Sequence, residues 1–137
     1  MTGRCYCGAV HLEASTPPQS VAYCHCVDCR RVTGAPVAAF AAFSEGDVQI
    51  SGAKLTSVSV SDGVERSFCG DCGSPVLGRY AYLPGQIYVS LGLLDQAGAL
   101  APETHCHVDE ALGWLHIEDN AERIAGTARA VLQRGRG

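Results

Sequence analysis

Residues 69–73 read Cys-Gly-Asp-Cys-Gly, and this short stretch decides how the chain must fold. A CxxC pair whose second cysteine precedes glycine is typical of a zinc knuckle, because the turn points both thiolates at one metal ion. Tetrahedral zinc takes four ligands, so Cys69 and Cys72 need a second pair. Cys5 and Cys7, which are also followed by glycine, are the natural candidates. The sequence therefore predicts a structural Cys₄ site that ties the N-terminal strand to the middle of the chain.

A second group of cysteines, Cys24, Cys26 and Cys29, has the spacing CxCxxC. Three protein ligands plus an open position is how catalytic zinc sites are built, so this cluster predicts a catalytic centre. The alternative is a site closed by a fourth protein ligand. Successive side chains of a strand point to opposite faces, so His105 and His107 would share one face and Cys106 the other. Only one of these faces can reach the metal. The candidates for that fourth ligand are His25, His105, Cys106 and His107.

The chemistry of a three-thiolate zinc centre favours a sulfur substrate. Such a centre carries a net charge of about −1, which weakens it as a generator of hydroxide from water. A soft thiolate is instead a good fourth ligand. Zinc would also keep that thiol deprotonated near neutral pH, where a free thiol is mostly protonated. The cluster therefore suits a thiol substrate.

Composition and charge limit the other classes of function. The chain has 137 residues, of which 47% are hydrophobic and 18% charged, and this predicts one globular domain spanning residues 1–137. Its N-terminus does not resemble a signal peptide, and its longest apolar run, 35–43, is too short to cross a bilayer. We therefore expect a cytoplasmic protein without a membrane partner, whose eight cysteines stay reduced. A net charge of −4 argues against nucleic-acid binding.

The hydrophobic pattern predicts a mainly β fold of antiparallel sheets. Short apolar runs alternate with turn signals such as Asp62-Gly63 and Pro84-Gly85. The predicted strands lie around 10–14, 21–24, 37–43, 48–50, 55–60, 64–69, 87–91 and 105–108. After them, apolar residues at helical spacing predict a C-terminal helix over about 121–134, with Asp119 or Asn120 as its cap.

The order of four motifs resembles the glutathione-dependent formaldehyde-activating enzyme (GFA) family, which also includes centromere protein V. The motifs are GRCYCGAV at 3–10, CHCVDCR at 24–30, RSFCGDCGS at 66–74 and PETH at 102–105. The resemblance covers about residues 3–117 and implies a zinc-stapled β-tent fold with two Zn²⁺ ions. It implies a structural ion on Cys5, Cys7, Cys69 and Cys72, and a catalytic ion on Cys24, Cys26 and Cys29.

The activity implied by the resemblance is the condensation of glutathione with formaldehyde to S-hydroxymethylglutathione, which is classed with the carbon–sulfur lyases. His25 would then relay a proton, or else support the site from behind. Arg30, with Arg31, would bind glutathione carboxylates, or else form a solvated surface pair.

Two other classes of function stay open at this point. One is a non-catalytic binding or scaffold module in which both zinc sites are closed. The other is a redox sensor in which Cys26 and Cys29 form a disulfide after metal loss. Cys106 stands outside the family pattern and is read as a small buried hydrophobe.

Overall fold

The computed structural model describes residues 1–133, which form two β-sheets. The smaller sheet has three antiparallel strands in the order β1-β2-β5. These strands are β1 (Thr2–Arg4), β2 (His11–Ala14) and β5 (Val48–Ser51). Strand β2 alternates exposed and buried residues, as expected for a strand with one face in the core.

The larger sheet has eight strands. They are β3 (Ser20–Cys24), β4 (Ala38–Ser44), β6 (Leu55–Val58), β7 (Val64–Cys69), β8 (Pro75–Tyr80), β9 (Gln86–Ser90), β10 (Thr104–Cys106) and β11 (Glu122–Ile124). Their spatial order is β11-β10-β3-β4-β9-β8-β7-β6. Two α-helices accompany the sheets in the described residues, α1 (Val27–Thr33) and α2 (Arg129–Leu132), together with four short 3-10 helices.

The two faces of the large sheet pack into different hydrophobic clusters. On β4, Ala41 and Phe43 belong to the cluster shared with the small sheet, while Ala42 belongs to a second cluster that includes α2. The first cluster contains Cys5 and Cys69, and the second contains Cys106. The period of two along a strand therefore divides the cysteines between two sides of one sheet.

The mainly β class is confirmed, but one edge of the large sheet is not antiparallel. Strand β10 pairs in parallel with both β3 and β11. The 13 residues between β9 and β10 (91–103) cross over before β10 joins the edge, so a tight hairpin does not set the strand direction there.

The predicted C-terminal helix is present but much shorter than expected. Residues 122–124 form β11 instead of a helical turn, because their backbone groups pair with β10. Gly126 then adopts a left-handed conformation (φ +82°), which interrupts any helix, and α2 begins only at Arg129. Asp119 accepts a hydrogen bond from the Ala121 amide but caps no helix. The expected end of the helix at 134–135 lies outside the described residues.

Helix α1 was not predicted, because seven residues are too few to show a helical period. The side chain of Cys26 caps its N-terminus, and Gly34 (φ +70°) ends it. Neither α1 nor any other helix in the described part of the chain has the length and apolar character needed to cross a membrane.

Candidate metal centres

Four cysteine sulfurs from two distant parts of the chain come together, with Cys5 and Cys69 buried and Cys7 exposed. The Sγ atoms of Cys5, Cys7, Cys69 and Cys72 all lie within 4.8 Å of one another. The Sγ atom of Cys7 lies 3.7 Å from that of Cys5 and 3.8 Å from that of Cys69. Tetrahedral zinc with Zn–S bonds of about 2.3 Å separates its sulfurs by about 3.8 Å. The donor set therefore fits Zn²⁺, and the predicted pairing of the two motifs is supported.

The glycine after each cysteine pair explains why both motifs turn the same way. Gly8 (φ +82°) and Gly73 (φ +76°) adopt the left-handed conformation that side chains disfavour. Each donates its amide to the carbonyl of the first cysteine of its pair, at 3.1 Å to Cys5 and 2.8 Å to Cys69. These two tight turns direct both pairs of thiols toward one point.

Neighbouring polar groups hold the sulfurs of this Cys₄ centre in place. The amide of Val10 donates to Cys5 Sγ at 3.3 Å. The hydroxyl of Ser74 lies 3.2 Å from Cys72 Sγ and accepts a hydrogen bond from the Tyr6 amide at 3.0 Å. The Ser74 hydroxyl and nearby backbone amides lower the pKa of Cys72 to about 5. Such contacts favour the thiolate form that a metal requires.

The second cluster is positioned by the turn from β3 into α1. Cys24 ends β3, Cys26 caps α1, and Cys29 lies in the first turn of that helix. Their three Sγ atoms lie within 4.8 Å of one another. The predicted set of three is therefore brought together, and its soft donors fit Zn²⁺ as those of the Cys₄ centre do.

Hydrogen bonds within this Cys₃ centre favour thiolate at one position. The thiols of Cys24 and Cys29, with the Cys29 amide 3.2 Å from the sulfur, lower the pKa of Cys26 to about 2. The pKa of Cys24 is raised, first by its hydrogen bond to Cys26. The cluster is therefore prepared to hold negative charge beside a cation.

Arg66 is a cation beside the Cys₃ centre, and sequence reasoning gave it no role. It lies on β7 and donates to the Tyr80 hydroxyl at 3.2 Å, with its guanidinium 5.5 Å from the Tyr80 ring centroid. Its pKa is raised: burial opposes the shift, but Tyr80 and the thiols of Cys29 and Cys26 outweigh it. The only signal in the sequence was its place three residues before Cys69 in the motif RSFC.

The Cys₃ centre opens into a cavity of about 260 Å³, which we call the chamber. Cys24, Cys26 and Cys29 form one part of its wall. Much of the remaining wall is aromatic or aliphatic. These residues are Phe40, Tyr80, Tyr82, Leu83, Tyr88 and Leu132.

A second cavity of about 410 Å³, which we call the trough, lies next to the chamber. The two cavities share Asp28, Phe40, Val64 and Arg66 as lining residues. The chamber and the trough therefore adjoin at Arg66. Arg31 lines the trough but not the chamber.

The structure places His25 in a buried chain of hydrogen bonds behind the cysteines. Its Nε2 lies 2.8 Å from Nδ1 of His105, whose Nε2 lies 2.9 Å from a carboxylate oxygen of Asp119. A neutral His105 that donates to Asp119 must accept from His25. Burial and the positive charges around it lower the pKa of His25. These hydrogen bonds favour a supporting role for His25. Its proposed role as a proton relay stays a prediction.

Arg30 does not line the chamber or the trough. Its Nη2 donates to the backbone carbonyl of Glu110 at 3.3 Å, which ties α1 to the segment after β10. A role for Arg30 in holding a substrate carboxylate stays a prediction. Arg66 is the arginine that faces both cavities.

Two of the candidates for a fourth protein ligand, Cys106 and His107, line the chamber beside the Cys₃ centre. Cys106 pairs in register with Cys24 and lines the chamber, and burial raises its pKa to about 11. His107 also lines the chamber, where its Nδ1 lies 3.1 Å from Glu110 Oε2. Among the described residues, no histidine, cysteine or carboxylate joins all three Cys₃ sulfurs within 4.8 Å.

All eight cysteines lie within the described residues, and none of them forms a disulfide. The redox alternative requires a disulfide between Cys26 and Cys29. The Cys29 amide instead donates a hydrogen bond to the Cys26 thiol, which caps α1. The arrangement is that of two thiol clusters ready for metal.

Comparison with known proteins agrees with this geometry. Residues 1–110 match the model of the family described as glutathione-dependent formaldehyde-activating enzyme. Among curated proteins, none matches the chain. A crystal structure of a Rhodobacter sphaeroides protein, a structural genomics target, is 28% identical with a TM-score of 0.59. The match covers 69% of this chain and 88% of that one. Since the family model spans most of the sequence and both cysteine clusters, the chain belongs to the glutathione-dependent formaldehyde-activating enzyme family.

Proposed function

We propose that the protein joins a thiol of the glutathione kind to an aldehyde, forming a carbon–sulfur bond at the Cys₃ centre. The observation that carries this proposal is the contrast between the two thiol clusters. The Cys₄ centre offers a complete tetrahedral donor set, anchored on the buried Cys5 and Cys69. The Cys₃ centre instead forms part of the wall of a 260 Å³ chamber. This is the difference expected between a structural and a catalytic zinc site.

Cys24, Cys26 and Cys29 would hold the catalytic zinc. When bound, zinc supplies a positive centre that keeps a substrate sulfur deprotonated near neutral pH. Arg66 is placed to offset the negative charge of the cysteines and of an added thiolate, since its pKa responds to Cys29 and Cys26. It also faces the trough, where the rest of the thiol molecule would lie.

The apolar chamber wall has a separate role. Aromatic and aliphatic side chains exclude water from the carbonyl carbon. This limits hydration of the aldehyde and strengthens nearby charge interactions. One cavity is thus lined both by the cysteines with Arg66 and by aromatic and aliphatic side chains.

Substitution of cobalt for zinc tests the proposed function. We expect glutathione to add a thiolate-to-cobalt charge-transfer band to the spectrum of the two-cobalt protein, because sulfur would enter the open position of the Cys₃ centre. The S-methyl derivative of glutathione, which cannot form a thiolate, is the matched control. A spectrum that glutathione leaves unchanged would show that both centres are closed, as in a scaffold module, and would refute the proposal.

Replacement of Arg66 tests its electrostatic role. The Arg66→Met variant keeps an apolar stem of similar length but removes the charge. A hydrogen bond to a charged group contributes about 1.5–3 kcal/mol, so we expect the Kd of glutathione in the cobalt titration to rise about 10–100-fold. Arg79→Met is the control, because Arg79 is ion-paired with Glu45 and Glu65 on the surface and does not line the chamber. Equal effects of the two substitutions would contradict the assignment.

A further inference from the structure

One wall of the chamber comes from outside the part of the chain that matches the family. Thr127, Ala128 and Leu132 line the chamber, whereas the family model ends at residue 110. Ala128 and Leu132 are also buried members of the second hydrophobic cluster. The size of the chamber therefore depends on a C-terminal segment that the family match does not include.

Specific contacts hold this segment over the chamber. The side chain of Gln86, which is 2% exposed, donates to the Leu132 carbonyl at 3.1 Å. The amide of His107 donates to the Gly126 carbonyl at 3.0 Å, and the Gly126 amide donates to Asp109 at 2.9 Å. Bonds at both ends of residues 126–132 thus fix the wall relative to the cysteines.

Two of the three tyrosines that line the chamber, Tyr80 and Tyr88, have their hydroxyls engaged by the protein. The Tyr80 hydroxyl accepts from Arg66 at 3.2 Å, and the Tyr88 hydroxyl donates to the Gln86 side-chain oxygen at 2.7 Å. Tyr88 is also only 4% exposed. With these hydroxyls engaged, the rings contribute mainly apolar surface to the chamber, and apolar surface favours an apolar occupant.

The chamber is also large for a one-carbon substrate. Its 260 Å³ is the space of about nine water molecules at about 30 Å³ each. Formaldehyde has two heavy atoms and would leave most of this apolar space without contact. Lost contacts weaken binding, because each atom facing a gap forfeits its dispersion attraction.

We propose that the chamber accepts an aldehyde whose carbonyl carries a compact apolar group, of which an aromatic ring is the best match. This proposal rests on the proposed function and names the substrate class for it. Leu132 and Ala128 set the size limit for the group. The carbonyl carbon lies toward the three cysteines, and the polar part of the thiol extends past Arg66 into the trough.

The reaction needs no oxidant or reductant. The thiol loses its proton, and the sulfur lone pair forms a bond to the carbonyl carbon. The π pair of the C=O bond moves to oxygen, which takes up the proton, so the product is an S-(1-hydroxyalkyl) thiol adduct. All atoms of the aldehyde and the thiol are retained in the adduct.

Binding of an unreactive probe tests the chamber separately from catalysis. Benzyl alcohol has the ring of benzaldehyde but no electrophilic carbon, and ethanol serves as the small control. We expect benzyl alcohol to bind the zinc-loaded full chain at least tenfold more tightly than ethanol. Amide NMR shifts should report it at Thr127 and Ala128. In Leu132→Trp, where the indole fills the space, benzyl alcohol binding should weaken at least tenfold. Val131→Ala, on the same helix but outside the chamber lining, should keep the wild-type Kd.

A kinetic comparison completes the test. With glutathione as the thiol, the ratio of kcat/KM for benzaldehyde to that for formaldehyde should exceed one and should fall at least tenfold in Leu132→Trp. If that variant does not fold, Tyr82→Ala serves instead, since Tyr82 is 42% exposed and its loss opens the wall with little loss of packing. It should weaken benzyl alcohol binding at least threefold.

The outcomes separate the two proposals. A cobalt spectrum that responds to glutathione, together with no preference for benzyl alcohol or benzaldehyde, would overturn the substrate class and leave the proposed function intact. Benzyl alcohol bound in the chamber of a protein whose cobalt spectrum ignores thiols would overturn the proposed function, and the aldehyde assignment with it.

Discussion

The Cys69→Ser variant is expected to bind one zinc ion instead of two and to lose most of its folded stability. Cys69 ends β7 in the large sheet, while Cys5 follows β1 of the small sheet, so an ion held by both would join the two sheets. Both are almost completely buried, at 0% and 1% exposure. The binding energy of a structural zinc is folding energy, so we expect a loss on the order of 5 kcal/mol or more. Such a loss is comparable with the whole stability of a typical domain.

Zinc content and urea unfolding measure this effect together. Cys106→Ser is the matched control, because Cys106 is also buried (5% exposed) but belongs to neither thiol cluster. It should keep two zinc ions and lose about 1–3 kcal/mol from burial of a hydroxyl. If Cys69→Ser keeps both ions and unfolds at the wild-type urea concentration, the structural role of the Cys₄ centre is wrong.

The Cys26→Ser variant is expected to show the opposite pattern, a folded protein without activity. Cys26 is the N-cap of α1, and serine is among the best capping residues, so the helix should persist. The Cys₃ centre loses one of its three sulfurs, and metal affinity there should fall steeply. We expect thiol–aldehyde condensation to fall at least about 10³-fold, since removal of one essential group from a catalytic set has effects of this size.

Three measurements check this second prediction. Zinc content should fall from two ions to one, the glutathione-induced cobalt band should disappear, and the urea midpoint should stay near the wild-type value. Cys26→Ala, which removes the cap as well, should be less stable than Cys26→Ser by about 1 kcal/mol with the same loss of activity. Wild-type turnover in Cys26→Ser would place the reaction elsewhere in the molecule.

The grouping of the cysteines was predictable from the sequence because zinc coordination is a strong constraint. Once Cys69 and Cys72 are read as two of four ligands, only a few other cysteines can complete the set. The glycines at 8 and 73 marked the turns that aim each pair. Strand β7 was predicted with the bounds that the structure has, since its pattern is closed by the cysteine turn.

Elements whose form depends on distant partners were not predictable in the same way. Strand β8 begins with Pro75 and contains Gly78, both poor strand residues, and is held by pairing with β7 and β9. Strand β11 has helical spacing in its sequence, but β10 offers it backbone partners. In both cases tertiary pairing overrides local propensity.

The chamber walls were hidden from sequence reasoning for a related reason. Arg66, Tyr80 and Leu132 are far apart in the chain and meet only after the strand register is fixed. Tyr80 and Arg66 lie on β8 and β7, where Arg66 faces Gly78 across the pair. A motif search points to ligands with fixed spacing, whereas the residues that shape a cavity have none.

The central claim, that one centre is complete and the other open, is tested most directly by zinc X-ray absorption on the two-zinc protein. With four thiolates at one ion and three at the other, the protein alone should show an average of about 3.5 sulfur ligands per zinc. Addition of glutathione should raise the average to about 4. An average of 4 before any thiol is added, or one near 3.5 that glutathione does not change, would contradict the claim.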